Sequence, residues 1–382
     1  MNTVTAAIDT HLLVGLAVAA VFSILVPAVS ILQRSRYLSV IALIGAALYH
    51  WHAFAGFLIV NAIAYAVVCR LNGARSTRWR WACVAMLSLI AVFTLGRVFG
   101  WESWMVLPAP APLALYSLDM WLALRLVTLF WEVGSGATAP SFSRFILWTC
   151  LPFTLGGPLI RYSQLPAEVC PNPSLWKSAA WWLQLGTAAG KLVVGSALGV
   201  GQHVMFNRWP QARLWNNLTT TLFTGPVGFY LTTAGHFHLM EVLARPAGIN
   251  VPESFNSPLG RENISAFWSS WNMTATAVFR DFLFYNRWGL QSYNVYLNVM
   301  ILFVLVGLWH AANAYWLLFG FLHGLLFCSF LLWRKHGARI GHIPFRGTSA
   351  ARAAARGLTY ICVCASWYLP SKILEKLGRL SA

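Results

Sequence analysis

Two histidines lie in a strongly apolar stretch of the chain, "GLWHAANAYWLLFGFLHG", at residues 307–324. His310 follows Trp309, and His323 precedes the last glycine of the stretch. An ionisable side chain in lipid costs free energy, so it is first treated as a functional candidate. Imidazole titrates near physiological pH, and proton transfer is therefore the chemistry that these residues offer.

The spacing of the two histidines limits what they can do together. On one continuous helix, 13 residues correspond to a rise of about 20 Å and a rotation of about 220°. They could not share a ligand on such a helix. Asn313 and the two small alanines before it indicate a break, which leaves the separation of the histidines open.

The other histidines and the cysteines do not predict a metal or haem site. His50 and His52 have i, i+2 spacing, as do His236 and His238, and such pairs point to opposite sides of a helix. A bis-histidine haem protein is conceivable with ten histidines but has no support from their spacing. The seven cysteines are scattered and form no C-x-x-C pair, so neither a disulfide framework nor a zinc site is expected.

Composition predicts an all-α polytopic membrane protein. The 382 residues are 58% hydrophobic and only 10% charged, and they include 20 tryptophans, which suits rings placed at membrane interfaces. The net charge of +17 is explained by basic cytoplasmic loops rather than by nucleic-acid binding. Residues 334–356 hold six lysines and arginines and no acidic residue.

Apolar runs predict a bundle of about 9 to 11 membrane segments. The first run, residues 12–32, is expected to be a transmembrane helix rather than a signal peptide. Residues 37–69 lie between basic clusters and should cross twice, with an outer turn near 49–56. The remaining expected segments are 81–99, 113–131, 178–206, 216–245, 292–312, 314–333 and 352–370.

Two stretches do not fit a simple span. Residues 151–166 are rich in Gly and Pro and predict a broken or re-entrant element that is buried in protein. Residues 256–288 are amphipathic and charged and predict interfacial or dipping half-helices. With the basic clusters inside, the N-terminus should be extracytoplasmic, and His310 should be reachable from that side.

Further polar residues are candidates for chemistry or for support. The stretch 254–289 places Asn272 directly after Trp271 and continues to Arg280 and Asp281, which should form a structural ion pair. Lys191 is intramembrane and is either a functional cation or the partner of a carbonyl or carboxylate. Four glycines on its helix predict close helix packing; they are Gly186, Gly190, Gly195 and Gly199.

Four ordered motifs resemble the membrane-bound O-acyltransferase (MBOAT) family, in particular its bacterial alginate O-acetylation and teichoic-acid D-alanylation branch. Residues 255–285, "FNSPLGRENISAFWSSWNMTATAVFRDFLFY", are similar to the family's F-W-x-R-W-H-x-S-L-S-x-W-x-R-D-Y-x-Y region. Residues 307–324 are similar to its G-x-W-H-G-x-x-W-x-x-x-x-W-G-x-x-H-G region. Upstream, "GGPLIRYSQL" contains Arg161 and "AGHFHLMEVLARPAGINVPESF" contains His238 at positions of two further family elements.

The resemblance implies transfer of an acyl group, acetyl or another small acyl group in this branch, from a cytoplasmic thioester to an extracytoplasmic hydroxyl. The donor would be acyl-CoA or an acyl carrier protein, and the acceptor a glycan, a polymer or an accessory transferase. His310 matches the family's catalytic histidine and would act as the general base. Asn272 matches a second polar position, and because an amide is no base it would hydrogen-bond the carbonyl or oxyanion. No tightly bound cofactor is expected.

The same resemblance divides the chain and defines its supporting residues. Residues 1–112 would be N-terminal transmembrane helices, 113–335 the catalytic core, and 336–382 a basic cytoplasmic loop with a last transmembrane helix. The protein would lie in the bacterial cytoplasmic membrane. The expected supporting or tunnel-lining residues are His323, Trp309, Trp271, Arg280, Asp281, Arg161, Lys191 and His238.

Departures from the family pattern leave undetermined which branch of the family the chain resembles most, and therefore which acceptor it would use. The family's W-H-x-S-L-S is replaced by "WNMTAT" at 271–276, the upstream Asp by His238, and the glycine after the catalytic position by Ala311. For His323, a hydrogen-bonded lock between helices or tunnel lining is as reasonable as catalysis. Two alternatives for the protein are a transporter or flippase with His310 as proton relay, and a scaffold for a secreted transferase.

Overall fold

The computed structural model describes residues 10–26, 34–49, 54–71, 120–135, 137–154, 157–209, 211–284, 294–310, 313–337 and 348–380. These residues form an all-α membrane protein, and no strand lies among them. The chain divides into two compact units. The N-terminal unit comprises Ile8–Lys191 and Gly235–Glu253; the C-terminal unit comprises Leu192–Ala234 and Ser254–Ala382, together with Met1–Ala7.

The N-terminal unit begins with three helices: α1 (Thr10–Leu25), α2 (Arg34–Tyr49) and α3 (Phe54–Leu71). The predicted pair of short helices is present, since α2 ends at Tyr49 and α3 begins at Phe54; residues 50–53, where the outer turn was predicted, lie outside the described residues. Two further helices follow, α4 (Met120–Gly134) and α5 (Phe142–Thr149). Their inner faces are apolar, and Phe22, Phe57 and Phe145 are almost completely buried in the core of this unit.

The segment predicted to be broken is irregular, as expected. After α5 come short 3-10 turns at Pro152–Thr154, Tyr162–Gln164 and Pro173–Lys177 instead of a helix. Arg125 of α4 is 1% exposed, and its guanidinium donates to the carbonyl oxygens of Trp148 and Thr149 at the end of α5. The last carbonyls of a helix lack intrahelical donors, and cations are favourable at that end. Arg125 therefore stabilises the C-terminus of α5 by donating to these carbonyls.

Two helices then contribute residues to both units: α6 (Ala179–Arg208) and α8 (Gly225–Ala244). Between them lie α7 (Arg213–Thr219) and a π-helical turn at Thr220–Thr224. The segment predicted as a span at 178–206 is therefore one long helix, and the segment predicted at 216–245 is helical but divided by a π-helical turn; that the second crosses the membrane stays a prediction. The C-terminal unit continues with α9 (Ile264–Trp268), α10 (Met273–Val278), α11 (Val295–His310), α12 (Ala314–His336) and α13 (Ser349–Leu380).

Only part of the predicted glycine packing on α6 is confirmed. A Cβ atom added to Gly195 would overlap the backbone of Thr232, and Gly228 lies against Gly195 and Gly199. Around Gly186 and Gly190, in contrast, a Cβ would meet nothing within 4 Å. The prediction was wrong for these two, because regular spacing along a helix does not say where another helix lies.

Helices α11 and α12 form a closely packed hairpin. A Cβ on Gly307 would overlap the carbonyl oxygen of Trp316, and one on Gly320 would overlap the carbonyl oxygen of Phe303. The break between them begins after His310, and Asn313 caps α12 by accepting a 3.0 Å hydrogen bond from the amide of Trp316. The break predicted from Asn313 is therefore confirmed, and glycine lets the two backbones approach closely.

Among the helices that the structure describes, two, α6 and α12, are long and apolar enough to cross a membrane. Shorter apolar helices lie at Leu16–Leu25, Arg36–Leu48, Phe57–Arg70 and Val295–His310. The half-helices predicted within 256–288 are present as α9, α10 and a π-helical turn at Phe279–Phe284. The crossing predicted at 81–99, Ala311 and most of the basic loop after α12 lie outside the described residues.

Candidate functional site

His310 is the last residue of α11, and its side chain is exposed. Its ring stacks on Trp316, with centroids 4.4 Å apart and planes at 18°, and its centroid is 4.6 Å from that of Trp309. Among the described residues, no hydrogen bond occupies either ring nitrogen. The two indoles fix the ring, and no described residue occupies the nitrogens that another molecule would use.

His323 has the opposite environment. It is completely buried in α12, and its Nε2 lies 2.8 Å from the Oγ of Ser366 in α13. This contact joins two helices, which fits the hydrogen-bonded lock that was one of the structural roles expected for His323. Both histidines contact Phe319, whose ring centroid is 4.4 Å from that of His323 and 6.3 Å from that of His310.

Trp271 lies in a cage of aromatic rings contributed by four segments of the C-terminal unit. The Phe255 centroid is 5.3 Å away at 85°, and the Phe267 centroid is 5.5 Å away at 21°. The Trp367 ring of α13 lies 6.1 Å from it. A small apolar cavity opens against Trp271, Trp367 and Phe267.

Asn272 follows Trp271 and has a left-handed backbone, with φ 42° and ψ 56°. Asparagine tolerates this region better than most residues with a side chain. Its Oδ1 caps α10 by a long contact to the amide of Ala275, at 3.5 Å, and accepts from the Thr274 hydroxyl at 3.4 Å. Its Nδ2 has no acceptor among the described residues, which leaves one donor group for a ligand.

Backbone hydrogen bonds of the neighbouring residues also hold the turn that carries Asn272. The amide of Met273 donates to the carbonyl of Ser254 at 2.8 Å, and the amide of Asn256 donates to the carbonyl of Ser270 at 3.0 Å. The loop before α9 is therefore tied to the turn that carries Asn272. The sequence signal for this turn was an asparagine between bulky residues and directly before a short helix.

Ring contacts connect the two catalytic candidates indirectly. Trp316, beside His310, lies 5.1 Å from Phe319, and Phe319 lies 5.6 Å from Trp367, which contacts Trp271. No direct hydrogen bond joins His310 to Asn272 within the described part of the chain. The structure thus places His310 and Trp271, the residue before Asn272, in one aromatic cluster of the C-terminal unit, and a joint role of His310 and Asn272 stays a prediction.

The predicted ion pair between Arg280 and Asp281 is confirmed. The Nε of Arg280 lies 2.8 Å from Oδ1 of Asp281, and the two side chains are 54% and 33% exposed. Exposed pairs of this kind stabilise a fold by at most about 1 kcal/mol. Trp309 packs on Phe279, just before this pair, with centroids 5.5 Å apart, so the start of the π-helical turn contacts the end of α11.

The remaining candidates belong to the N-terminal unit. The Nζ of Lys191 lies 3.4 Å from Nδ1 of His238. The expected structural partner was a carbonyl or carboxylate, so that expectation was wrong: the partner is an imidazole, brought there by packing of α6 and α8. Arg161 lies in the irregular segment, where its backbone amide donates to Oε1 of Gln164 at 2.9 Å.

Sequence reasoning missed three residues around the site. Ser366 is a hydroxyl residue in the apolar run of α13, and its polarity was the available signal. Phe319 lies where the family region similar to 307–324 has a tryptophan, whereas Trp316 carried no signal, because aromatic residues are common in membrane helices. In the described ranges, no three His, Cys, Asp or Glu side chains are grouped closely enough to hold a metal ion.

Comparison with known proteins supports the motif analysis. The chain is 26% identical over 161 residues to the teichoic acid D-alanyltransferase of Bacillus subtilis, covering 39% of this chain and 38% of the relative. It is 29% identical over 98 residues to a probable alginate O-acetylase AlgI of Pseudomonas aeruginosa, covering 25% of this chain and 19% of the relative. No protein-family model matches the chain.

A third match is the longest of the three. The teichoic acid D-alanyltransferase of Lacticaseibacillus rhamnosus is 23% identical over 290 residues, covering 67% of this chain and 69% of the relative. These relatives are MBOAT proteins. The chain is similar to membrane-bound O-acyltransferases.

The resemblance to the MBOAT family inferred from four motifs is therefore confirmed. The relatives are named as acyltransferases that act on cell-envelope polymers. The matched segments span only 38% and 19% of the length of the first two relatives. Similarity to these proteins does not identify the catalytic residues or the substrate of this chain.

Proposed function

We propose that this protein is a membrane O-acyltransferase that uses His310 as its general base. The observation that carries the proposal is the environment of His310: an exposed imidazole at the end of α11, fixed by two indoles, with no hydrogen bond to either nitrogen from the described residues. The names of the similar proteins supply the reaction class.

The proposed reaction transfers an acyl group from sulfur to oxygen. The acceptor oxygen attacks the thioester carbonyl carbon while the imidazole of His310 takes the hydroxyl proton. The Nδ2 of Asn272 donates a hydrogen bond to the oxyanion of the tetrahedral intermediate. The carbon–sulfur bond then breaks, and the imidazolium returns its proton to the thiolate. Donor and acceptor suffice for this balance, and no tightly bound cofactor takes part.

The proposed donor is a cytoplasmic thioester, either acyl-CoA or an acyl carrier protein, carrying an acetyl or other small acyl group. The proposed acceptor is an extracytoplasmic glycan, polymer or accessory transferase. The protein would lie in the bacterial cytoplasmic membrane with its N-terminus outside. In this orientation the end of α11, and His310 with it, faces the acceptor side, whereas the basic end of α12 faces the donor.

The test is labelled acetyl transfer by the purified protein in nanodiscs, with acetyl-CoA as donor and a cell-envelope glycan fraction as acceptor. Because glutamine cannot accept the hydroxyl proton, His310→Gln should lower the transfer rate by about 10²- to 10⁴-fold. The matched control is His336→Gln, at the far end of α12, which should transfer normally.

Thermal unfolding of His310→Gln checks that the variant is folded. Undiminished transfer by a folded His310→Gln would contradict the proposal and would favour a different base. The same assay separates an acyltransferase from a transporter. An acyltransferase forms labelled ester unless His310 is replaced, whereas a transporter forms no labelled ester even with the unchanged protein.

A further inference from the structure

The hydrogen bonds of Ser366 determine the tautomer of His323. The Ser366 hydroxyl donates to the carbonyl oxygen of Val363 at 2.7 Å and also lies 2.8 Å from Nε2 of His323. A serine hydroxyl has only one proton, so its oxygen must accept the second bond. His323 therefore carries its proton on Nε2, and Nδ1 is a lone-pair acceptor. No donor among the described residues reaches this buried Nδ1.

Two buried indole N–H groups near His323 also have no hydrogen-bond acceptor in the part of the chain that the structure describes. The Trp268 ring lies 5.0 Å from the His323 ring at 80°, and its Nε1–H has no acceptor within the described chain. The Nε1–H of Trp367 is likewise buried without an acceptor there, and the Trp367 ring packs on Phe319, which contacts His323. Buried polar groups in native proteins nearly always have partners, so these three require an explanation.

One chemical group satisfies both kinds of atom at once. A hydroxyl donates one proton, which Nδ1 of His323 can accept, and its oxygen lone pairs can accept from an indole N–H. A carboxylate or phosphate ester has no proton for Nδ1, and a hydrocarbon satisfies neither. The small apolar cavity lined by Trp271, Trp367, Phe267 and Val363 lies against one of the two indoles, that of Trp367.

We propose that His323, Trp268 and Trp367 bind a hydroxyl group inside the aromatic cluster next to His310. A buried water molecule and a non-reacting hydroxyl of an acyl acceptor, other than the one that His310 deprotonates, present the same chemistry. The second source rests on the acyltransferase function proposed above, whereas the first does not. Phe319, which touches both histidines, places this recess beside the candidate base.

The test is a double-mutant cycle that combines Trp268→Phe with His323→Asn in nanodiscs. Phenylalanine keeps an aromatic ring and removes the N–H donor, and asparagine keeps a neutral polar group while changing the acceptor. If both residues bind one hydroxyl, their effects are not additive, because either change alone already loses the shared group. The reference cycle replaces Trp268→Phe by Trp333→Phe, an exposed tryptophan on the same helix as His323, and its effects should add.

Two measurements distinguish the sources. If the group is buried water, Trp268→Phe lowers the Tm of the substrate-free protein by about 2–4 °C, and the KM for the acceptor is unchanged. If it is the acceptor hydroxyl, the KM for the acceptor rises about tenfold, and the Tm is unchanged. The proposal would be overturned if Trp268→Phe and His323→Asn had additive effects on both the Tm and the KM, or if the effects of Trp268→Phe on both equalled those of Trp333→Phe.

The Tm cycle needs no enzyme activity, so its failure is distinct from failure of the proposed function. Suppose that His310→Gln still transfers acetyl groups while Trp268→Phe and His323→Asn have coupled effects on the Tm. The hydroxyl site would then be supported, and His310 would be excluded as the base.

Discussion

His310 and His323 show how the same side chain acquires different properties from its surroundings. His310 ends α11, is exposed and keeps both nitrogens unoccupied within the described residues. His323 is completely buried and bonded to Ser366. A general base must reach the proton that it abstracts, and the exposed position of His310 allows this. The assignment of base to His310 thus agrees with its accessibility, while His323 is suited to holding a group in place.

Asn272 combines a structural and a proposed chemical role, and these can be separated. Its left-handed backbone favours Asn or Gly, and its Oδ1 caps α10. Asn272→Ala should lower the free energy of unfolding by about 1–2 kcal/mol, because a left-handed alanine is strained and the cap is lost. Asn272→Gly should cost only a few tenths of a kcal/mol, since glycine accepts this backbone. Thermal unfolding in nanodiscs measures both.

Acetyl transfer by the same variants tests the oxyanion role. Asn272→Gly removes the Nδ2 donor from a folded protein, so transfer should fall by about 10²-fold or more if this donor stabilises the oxyanion. A stable Asn272→Gly protein with normal transfer would show that asparagine is there for its backbone conformation alone.

At the scale of elements, the hairpin of α11 and α12 positions both histidines. Asn313 starts α12 three residues after α11 ends, and the glycines at 307 and 320 let the helix backbones touch. The hairpin thereby reverses the chain and places His310 and His323 against the same ring, Phe319. On one uninterrupted helix they would be separated by about 20 Å.

Paired glycine substitutions test this packing. Gly320→Ala should lower the free energy of unfolding by about 1–3 kcal/mol, because its Cβ would overlap the carbonyl oxygen of Phe303. Gly186→Ala is the matched control, with no atom within 4 Å of the added Cβ, and should be neutral or stabilising by up to about 1 kcal/mol through helix propensity. Equal Tm values for the two variants would contradict close packing of the hairpin.

At the scale of the whole molecule, charge is distributed unevenly along the chain. The net charge is +17, and α12 ends in exposed Arg334 and Lys335. Arg356 of α13 is partly neutralised by Glu262, with Nη2 and Oε1 2.9 Å apart. A basic surface accelerates encounter with an acidic ligand such as a CoA thioester, and this effect weakens with salt.

The salt dependence of donor use follows from this difference. Arg334→Gln should raise the KM for acetyl-CoA about threefold at low ionic strength, and the effect should nearly disappear at about 0.5 M salt. Arg356→Gln is the control and should change KM less, because Glu262 already offsets its charge. Initial rates over a salt series measure both; equal, salt-independent effects would exclude steering by this surface.

The sequence by itself determined the class of the protein and much of its segmentation. Each membrane helix must form all its backbone hydrogen bonds internally and present apolar side chains to lipid. A membrane span can therefore be recognised from the composition of its own segment. Local composition also made the division between α2 and α3, the irregular segment before α6 and the break at Asn313 predictable. The motif around His310 could be recognised because its residues are close in sequence.

Tertiary structure alone decided which residues meet. Lys191 contacts His238, and His323 contacts Ser366, a residue 43 positions further along. Of the four regularly spaced glycines on α6, Gly195 and Gly199 lie at a close helix contact, whereas Gly186 and Gly190 do not. These outcomes depend on where a second helix lies against the first. A pattern within one helix specifies which face it presents, but its partner is set by packing between distant segments.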